Sequence, residues 1–289
     1  MFRRSECVLI AYLIYAAAVA LALPVSAPVR AVTLLFNLQV LACYGLVAYA
    51  GWRGGGLPLS VARDWFPSLL LLLAYREMAW FALPHNGYPL EQAWVVWDRL
   101  ALRNGGRAAV ESLGPLLPSL LEICYSLVYA LGPFSLVMLY CYRRRERVDA
   151  FLLVFTLGVL LCYAQFPLWP SEPPRTVFPG QDFPSYDTIF RRFNWWLLKG
   201  YGMHTSVFPS AHVAGAFSAS FGMRQALPER PWVWRLLLLM AFLIATATVY
   251  GRYHYLADAV AGLAMALVAA RLAPWLSTFP KARKTKWKD

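Results

Sequence analysis

The chain has 289 residues, of which 60% are hydrophobic, 16% aromatic and only 15% charged. A soluble domain carries about 25% charged residues; so apolar a chain cannot cover its own surface in water, which excludes a soluble globule, a disordered chain, a small disulfide scaffold, a collagen and a coiled coil. The net charge of +12 points to anionic surroundings, but its distribution follows membrane topology and argues against nucleic acid.

Apolar runs of about 20 residues, the length that crosses a bilayer core, predict eight spans. The first, 8–23, follows Arg3 and Arg4 as a signal peptide would, yet Val25-Ser26-Ala27 is only a weak cleavage match, and the segment is expected to be retained. The second is 31–50 and the third 66–83, with Arg76 and Glu77 inside it, expected either to pair with partners such as Glu122 within the bundle and line a cavity or to form a purely structural buried ion pair. The connection 84–115 holds 90–102, where Trp94, Trp97, Asp98 and Arg99 predict a helix lying in the interface. The fourth span, 116–142, is long, and Pro133 predicts a kink in it. After the fifth, 150–168, comes 169–209, rich in proline and aromatics, with Trp169, Trp195 and Trp196 suited to headgroup depth. Its length marks it as a functional loop. Spans 212–227, 232–250 and 256–273 complete the set.

Eight spans place both termini on one side. Seventeen of the 27 Lys and Arg lie on that side and nine opposite, with Arg76 inside a span. The excess predicts cytoplasmic termini, and the tail 281–288 adds attraction to anionic lipid. The five cysteines, Cys7, Cys43, Cys124, Cys141 and Cys162, match neither a disulfide framework nor a zinc site and are expected to pack. The expected fold is an all-α polytopic membrane helix bundle of about eight transmembrane helices: two accessory helices in 1–65, a six-helix catalytic core in 66–275 and a basic cytoplasmic tail in 276–289. No internal repeat is evident.

Three segments carry polar chemistry, and the topology brings all three to the external face: Pro170-Ser171-Glu172-Pro173-Pro174-Arg175, Phe208-Pro209-Ser210-Ala211-His212, and Gly251-Arg252-Tyr253-His254-Tyr255-Leu256-Ala257-Asp258. His254 and Asp258 are four apart, one turn on a helix face. A carboxylate on one ring nitrogen fixes the tautomer and frees the other as nucleophile or base, and a carboxylate inside the membrane is costly enough to point to function. Pro209 suits a helix's first turn, so that Ser210 and the nearby free N–H groups offer an anion site, with His212 as general acid. Arg175 and Arg252 supply planar donors matched to phosphate oxygens; snorkelling to lipid headgroups is the plainer reading of either alone. Together the set fits phosphoryl transfer through a covalent phosphohistidine, with no metal and no cofactor. His85 and His204 read as external loop residues.

The second and third segments resemble the second and third signatures of the type 2 phosphatidic acid phosphatase superfamily. In their fuller forms, FPSAHVAGAF and GRYHYLADAVAG, they are similar to its inositol phosphorylceramide synthase-like branch. The resemblance covers roughly 66–273. It implies His254 as nucleophile, Asp258 as its partner, His212 as acid and Ser210 as a phosphate contact. The chain departs from the superfamily pattern at three places: Leu168 stands where the first signature has lysine, Ala211 where the second has glycine, and Ala247-Thr248 where the third has Ser-Arg. The expected function is a lipid phosphatase or head-group phosphotransferase. Its substrate would be a phosphorylated lipid and its acceptor water, a polyol or a lipid hydroxyl. The expected setting is a bacterial inner membrane, with the site facing the periplasm or exterior. A non-enzymatic phospholipid-binding or transport protein is the alternative, although a transporter should show repeat symmetry and helices broken near the midplane.

Overall fold

A computed structural model of the chain describes residues 2–54, 56–81, 87–203, 205 and 207–278. His85, His204 and the tail from residue 279 lie outside the described residues. In chain order the helices are α1 (Arg4–Ala22), α2 (Ala27–Trp52), α3 (Gly56–Met78), α4 (Pro89–Ala101), α5 (Arg107–Glu111), α6 (Leu116–Cys141), α7 (Val148–Tyr163), α8 (Pro174–Val177), α9 (Ile189–Tyr201), α10 (Ala211–Ala226), α11 (Pro231–Tyr250) and α12 (Leu256–Thr278). No strand occurs among the described residues, and the fold is all-α.

Six of these helices, α1, α2, α3, α6, α11 and α12, are long and apolar enough to cross a membrane. The other two expected spans fall on α7 and α10, each 16 residues long and so only about 24 Å. An eight-span reading is compatible with this arrangement. These two short helices form the centre of the bundle, where Val154, Phe151, Val213, Ala214 and Ala216 are fully buried. The small face of α10 (Ala214, Gly215, Ala216, Ser218, Ala219) lets its neighbours approach closely, the packing mode available where lipid removes the hydrophobic drive between helices.

Helix α3 begins well ahead of the run expected at 66–83, because the charged residues that end the apolar window are paired inside the bundle. Asp64 accepts from Arg3 at 2.5 Å and Arg145 at 2.7 Å, and Glu6 takes Arg63 at 2.5 Å. Asp149, at the start of α7, accepts from the Ser5 and Arg4 amides at 3.0 and 3.2 Å. These contacts satisfy free N–H groups at the start of α1 and bind α1 and α3 to the core at one end of the bundle. The opposite end holds the three polar segments. Helix α6 continues through Pro133.

Candidate active site

The third segment is a turn between α11 and α12. The Tyr253 and His254 amides both donate to the Thr248 carbonyl, at 2.9 and 3.0 Å, folding the chain back on the end of α11. Arg252 takes φ 63°, a left-handed conformation that costs a non-glycine residue about 1–2 kcal/mol. Its guanidinium is fully buried, and Nη1 lies 2.5 Å from Asp98 Oδ2 on α4. The other Asp98 oxygen accepts from the Leu256 amide at 2.7 Å, satisfying a free donor in the first turn of α12.

His254 and Asp258 do not share a helix, as their spacing alone suggested. His254 stands in the turn, and Asp258, in the first turn of α12, reaches back to it. Asp258 Oδ2 accepts from the Tyr255 amide at 2.9 Å and lies 3.3 Å from His254 Nδ1. Asp258 thus engages Nδ1, and the ring also hydrogen-bonds to the Val207 backbone. Burial and the nearby Arg175 cation lower the His254 pKa to about 3, so at ordinary pH the ring is neutral and keeps its lone pair.

The second segment meets the third through the backbone. Ser210 caps α10, its hydroxyl accepting from the Val213 amide at 3.4 Å. Its own amide donates to the Asp258 carbonyl at 3.0 Å. Pro209 therefore precedes the cap rather than occupying the first turn. One turn beyond Asp258, Gly262 makes the close approach possible: a Cβ there would lie 2.4 Å from the Ser210 carbonyl oxygen. His212 follows in the first turn of α10, its ring centroid 5.7 Å from that of His254.

The His212 ring is held by stacking. It lies parallel to Tyr125 at 4.9 Å, and Tyr125 lies on Tyr253 at 4.1 Å. Tyr129 meets His212 edge-on at 5.9 Å. Such pairs contribute about 0.5–1.5 kcal/mol each beyond area burial. His212 Nε2 is buried and has no hydrogen-bond partner among the described residues. Beneath the stack, Glu122 accepts from Tyr253 Oη at 2.6 Å, Arg191 Nη1 at 2.9 Å and Asn194 Nδ2 at 2.7 Å. Glu122 thus serves α9 and the turn, where the sequence suggested Arg76 and Glu77 as its partners.

Of the two arginines, Arg175 is the one whose charge bears on His254. It stands in α8 and anchors through Nη1 to the Tyr253 carbonyl at 3.1 Å. Arg252 is turned to α4. An apolar cleft of about 320 Å³ runs between α3, α6, α7 and α10, lined by residues including Leu69, Leu72, Val128, Phe155 and Gly215, and reaches His212. Among the described residues no group of three His, Cys, Asp or Glu is placed to hold a metal ion.

The sequence does not single out Tyr125, Tyr129, Arg191 and Asn194, and it offers Asp98 only as part of the helix at 90–102, not as a contact of the site. One signal was available: Glu122, Tyr125 and Tyr129 follow an i, i+3, i+7 rhythm along an otherwise apolar helix, which aims them at one neighbour. A family model described as the PAP2 superfamily matches residues 108–272, a span that begins after α4. No curated protein and no solved structure matches the chain.

Proposed function

The chain belongs to the PAP2 superfamily, a family of phosphatases, and on that premise we propose that it is an integral membrane enzyme acting on a phosphorylated lipid through a phosphohistidine. The observation that carries this reading is the apolar cleft that ends on His212 beside the His254–Asp258 pair. A phosphate seated at the two histidines would leave its hydrocarbon tail in that cleft. Each methylene so buried contributes about 0.8 kcal/mol to binding in water, and less when the tail comes from lipid.

In the first step His254 Nε2 attacks phosphorus and the phosphorus–nitrogen bond forms. The ester P–O bond breaks in line, and His212 gives its proton to the departing oxygen. The approaching phosphate supplies the negative charge that lets His212 carry that proton. Asp258 holds the His254 tautomer and stabilises the positive charge gained by the ring. Arg175 and the N–H groups at the start of α10, with Ser210, bind the phosphoryl oxygens. In the second step an acceptor hydroxyl passes its proton to His212, its oxygen attacks phosphorus, and the phosphorus–nitrogen bond breaks. Water as acceptor makes the protein a lipid phosphatase. An inositol- or ceramide-like hydroxyl makes it a head-group phosphotransferase, the outcome favoured by the likeness of FPSAHVAGAF and GRYHYLADAVAG to the inositol phosphorylceramide synthase-like branch. The basic asymmetry supports cytoplasmic termini and a site on the external face, with α1 and α2 as accessory helices to the core.

Wild-type and His254→Ala protein, reconstituted with phospholipid, ceramide and polyprenyl phosphate, with and without inositol, test this by mass spectrometry of the lipids. The proposal expects a dephosphorylated lipid or a new phosphodiester from wild type alone. Identical lipid profiles would favour a non-enzymatic carrier.

A further inference from the structure

Helix α4 lies ahead of the family-matched span, yet a single face of it touches all three polar segments. Glu91 Oε1 accepts from the Glu172 amide at 2.9 Å in the first segment. Trp94 stacks on Phe208 of the second at 4.8 Å and meets Tyr255 of the third at 5.7 Å. Asp98 takes Arg252 and the Leu256 amide, at 2.5 and 2.7 Å. Residues 91, 94 and 98 recur at the i, i+3, i+7 spacing of one helical face, while Val96, Trp97 and Leu100 on other faces are exposed.

Asp98 grips the turn on both sides of His254, through the side chain two residues before it and the amide two residues after it. Asp98 and Arg252 are both fully buried. Breaking the pair would leave a buried charge uncompensated, so the contact holds the turn against α4. Without the pair, the left-handed Arg252 loses the ion pair that ties its side chain to α4, and the first turn of α12, which carries Asp258, loses an acceptor for one of its free donors.

We propose that Asp98 is a positioning residue for the reaction: from α4 it fixes the Arg252–Leu256 turn so that His254 stands in line with the phosphorus and against Asp258. This rests on the reading of His254 as nucleophile. It assigns Arg252 to holding the turn and leaves phosphate binding to Arg175 and the start of α10.

The test compares wild type, Asp98→Asn, Asp98→Ala, Arg252→Gln and the double variant Asp98→Asn/Arg252→Gln in lipid vesicles. It uses steady-state kinetics on the phosphorylated lipid that wild type consumes and hydrogen exchange of the 251–258 peptide. Misplacing a reacting group by about 1 Å costs on the order of 100-fold. Asp98→Asn is therefore expected to lower kcat by about 10- to 100-fold with KM nearly unchanged, and to speed exchange at the turn. The double variant, which removes the unpaired buried cation and restores an amide–amide contact, is expected to recover much of the loss. Unchanged exchange and kcat in Asp98→Asn would overturn the proposal. So would a rise in KM at constant kcat in Arg252→Gln, which would mark Arg252 as a phosphate ligand. Should wild type consume no lipid, the proposed function fails; faster exchange at the turn in Asp98→Asn would still support the clasp, and unchanged exchange would overturn it.

Discussion

Replacing Glu122 with glutamine probes the support beneath the histidines. The wild-type carboxylate accepts three side-chain hydrogen bonds, from Arg191, Asn194 and Tyr253, at 2.9, 2.7 and 2.6 Å. All four residues are buried. Glutamine preserves volume and one carbonyl acceptor but removes the charge opposite Arg191, and its amide group presents donors where two of the three partners also donate. Hydrogen bonds to a charged group contribute about 1.5–3 kcal/mol each, and uncoupling a buried ion pair by removing one partner costs about 3–5 kcal/mol. Because glutamine keeps one acceptor, a loss of about 2–3 kcal/mol is expected, near the upper value for one charged hydrogen bond. For a domain of 150–250 residues each kcal/mol lowers the Tm by about 2–4 °C, so Glu122→Gln should melt several degrees below wild type in the same detergent. Tyr253 is the link to chemistry, since it stacks on Tyr125 and Tyr125 on His212. Turnover should therefore fall at temperatures where the variant is still folded. Thermal unfolding read by intrinsic tryptophan fluorescence, alongside turnover at 20 °C below the midpoint of each protein (a setting on the order of several kcal/mol inside the folded range), gives both quantities. A Glu122→Gln protein with wild-type Tm and turnover would refute the reasoning.

Asp258→Asn should cut turnover by about 10²–10⁴, the scale on which an orienting carboxylate matters beside a catalytic histidine, with the Tm close to that of wild type; steady-state kinetics and a thermal melt check it. Leu72 lines the apolar cleft from α3 and is exposed. Leu72→Trp should accordingly lower turnover of a tailed lipid while sparing a short water-soluble phosphate ester, and equal losses on both substrates would contradict the cleft's role. His254 is held neutral down to about pH 3 in the folded protein, whereas an unfolded imidazole takes a proton below about pH 6.5. Its contribution to stability is thus full above pH 6.5 and is lost as pH falls from there towards 3. The wild-type Tm should drop more steeply than that of His254→Asn across that window, and parallel slopes would contradict the buried neutral ring.

The architecture was legible wherever the signal was an apolar run bounded by charge. The expected interfacial helix at 90–102 corresponds to α4, and the runs at 116–142 and 232–250 to α6 and α11. The start of α3 was not legible, because Arg63 and Asp64 end an apolar window even though Glu6, Arg3 and Arg145 neutralise them within the fold. Local spacing placed His254 beside Asp258 and put His212 in the first turn of a helix. It could not show that Arg252 turns to α4 while Arg175 bears on His254, since that depends on a contact 154 positions away in the chain. The stacked tyrosines were hidden for a similar reason: on a membrane helix an aromatic reads as lipid contact until its neighbour is known.

The central claim is a covalent bond between His254 and the phosphoryl group. Wild-type and His254→Ala protein would be reconstituted with a lipid carrying labelled phosphate and quenched during turnover at alkaline pH, where a phosphorus–nitrogen bond survives, and the labelled peptides mapped. The account predicts label on the peptide containing His254 in wild type and none in the variant. Steady product formation by wild type with no label on His254 would contradict it.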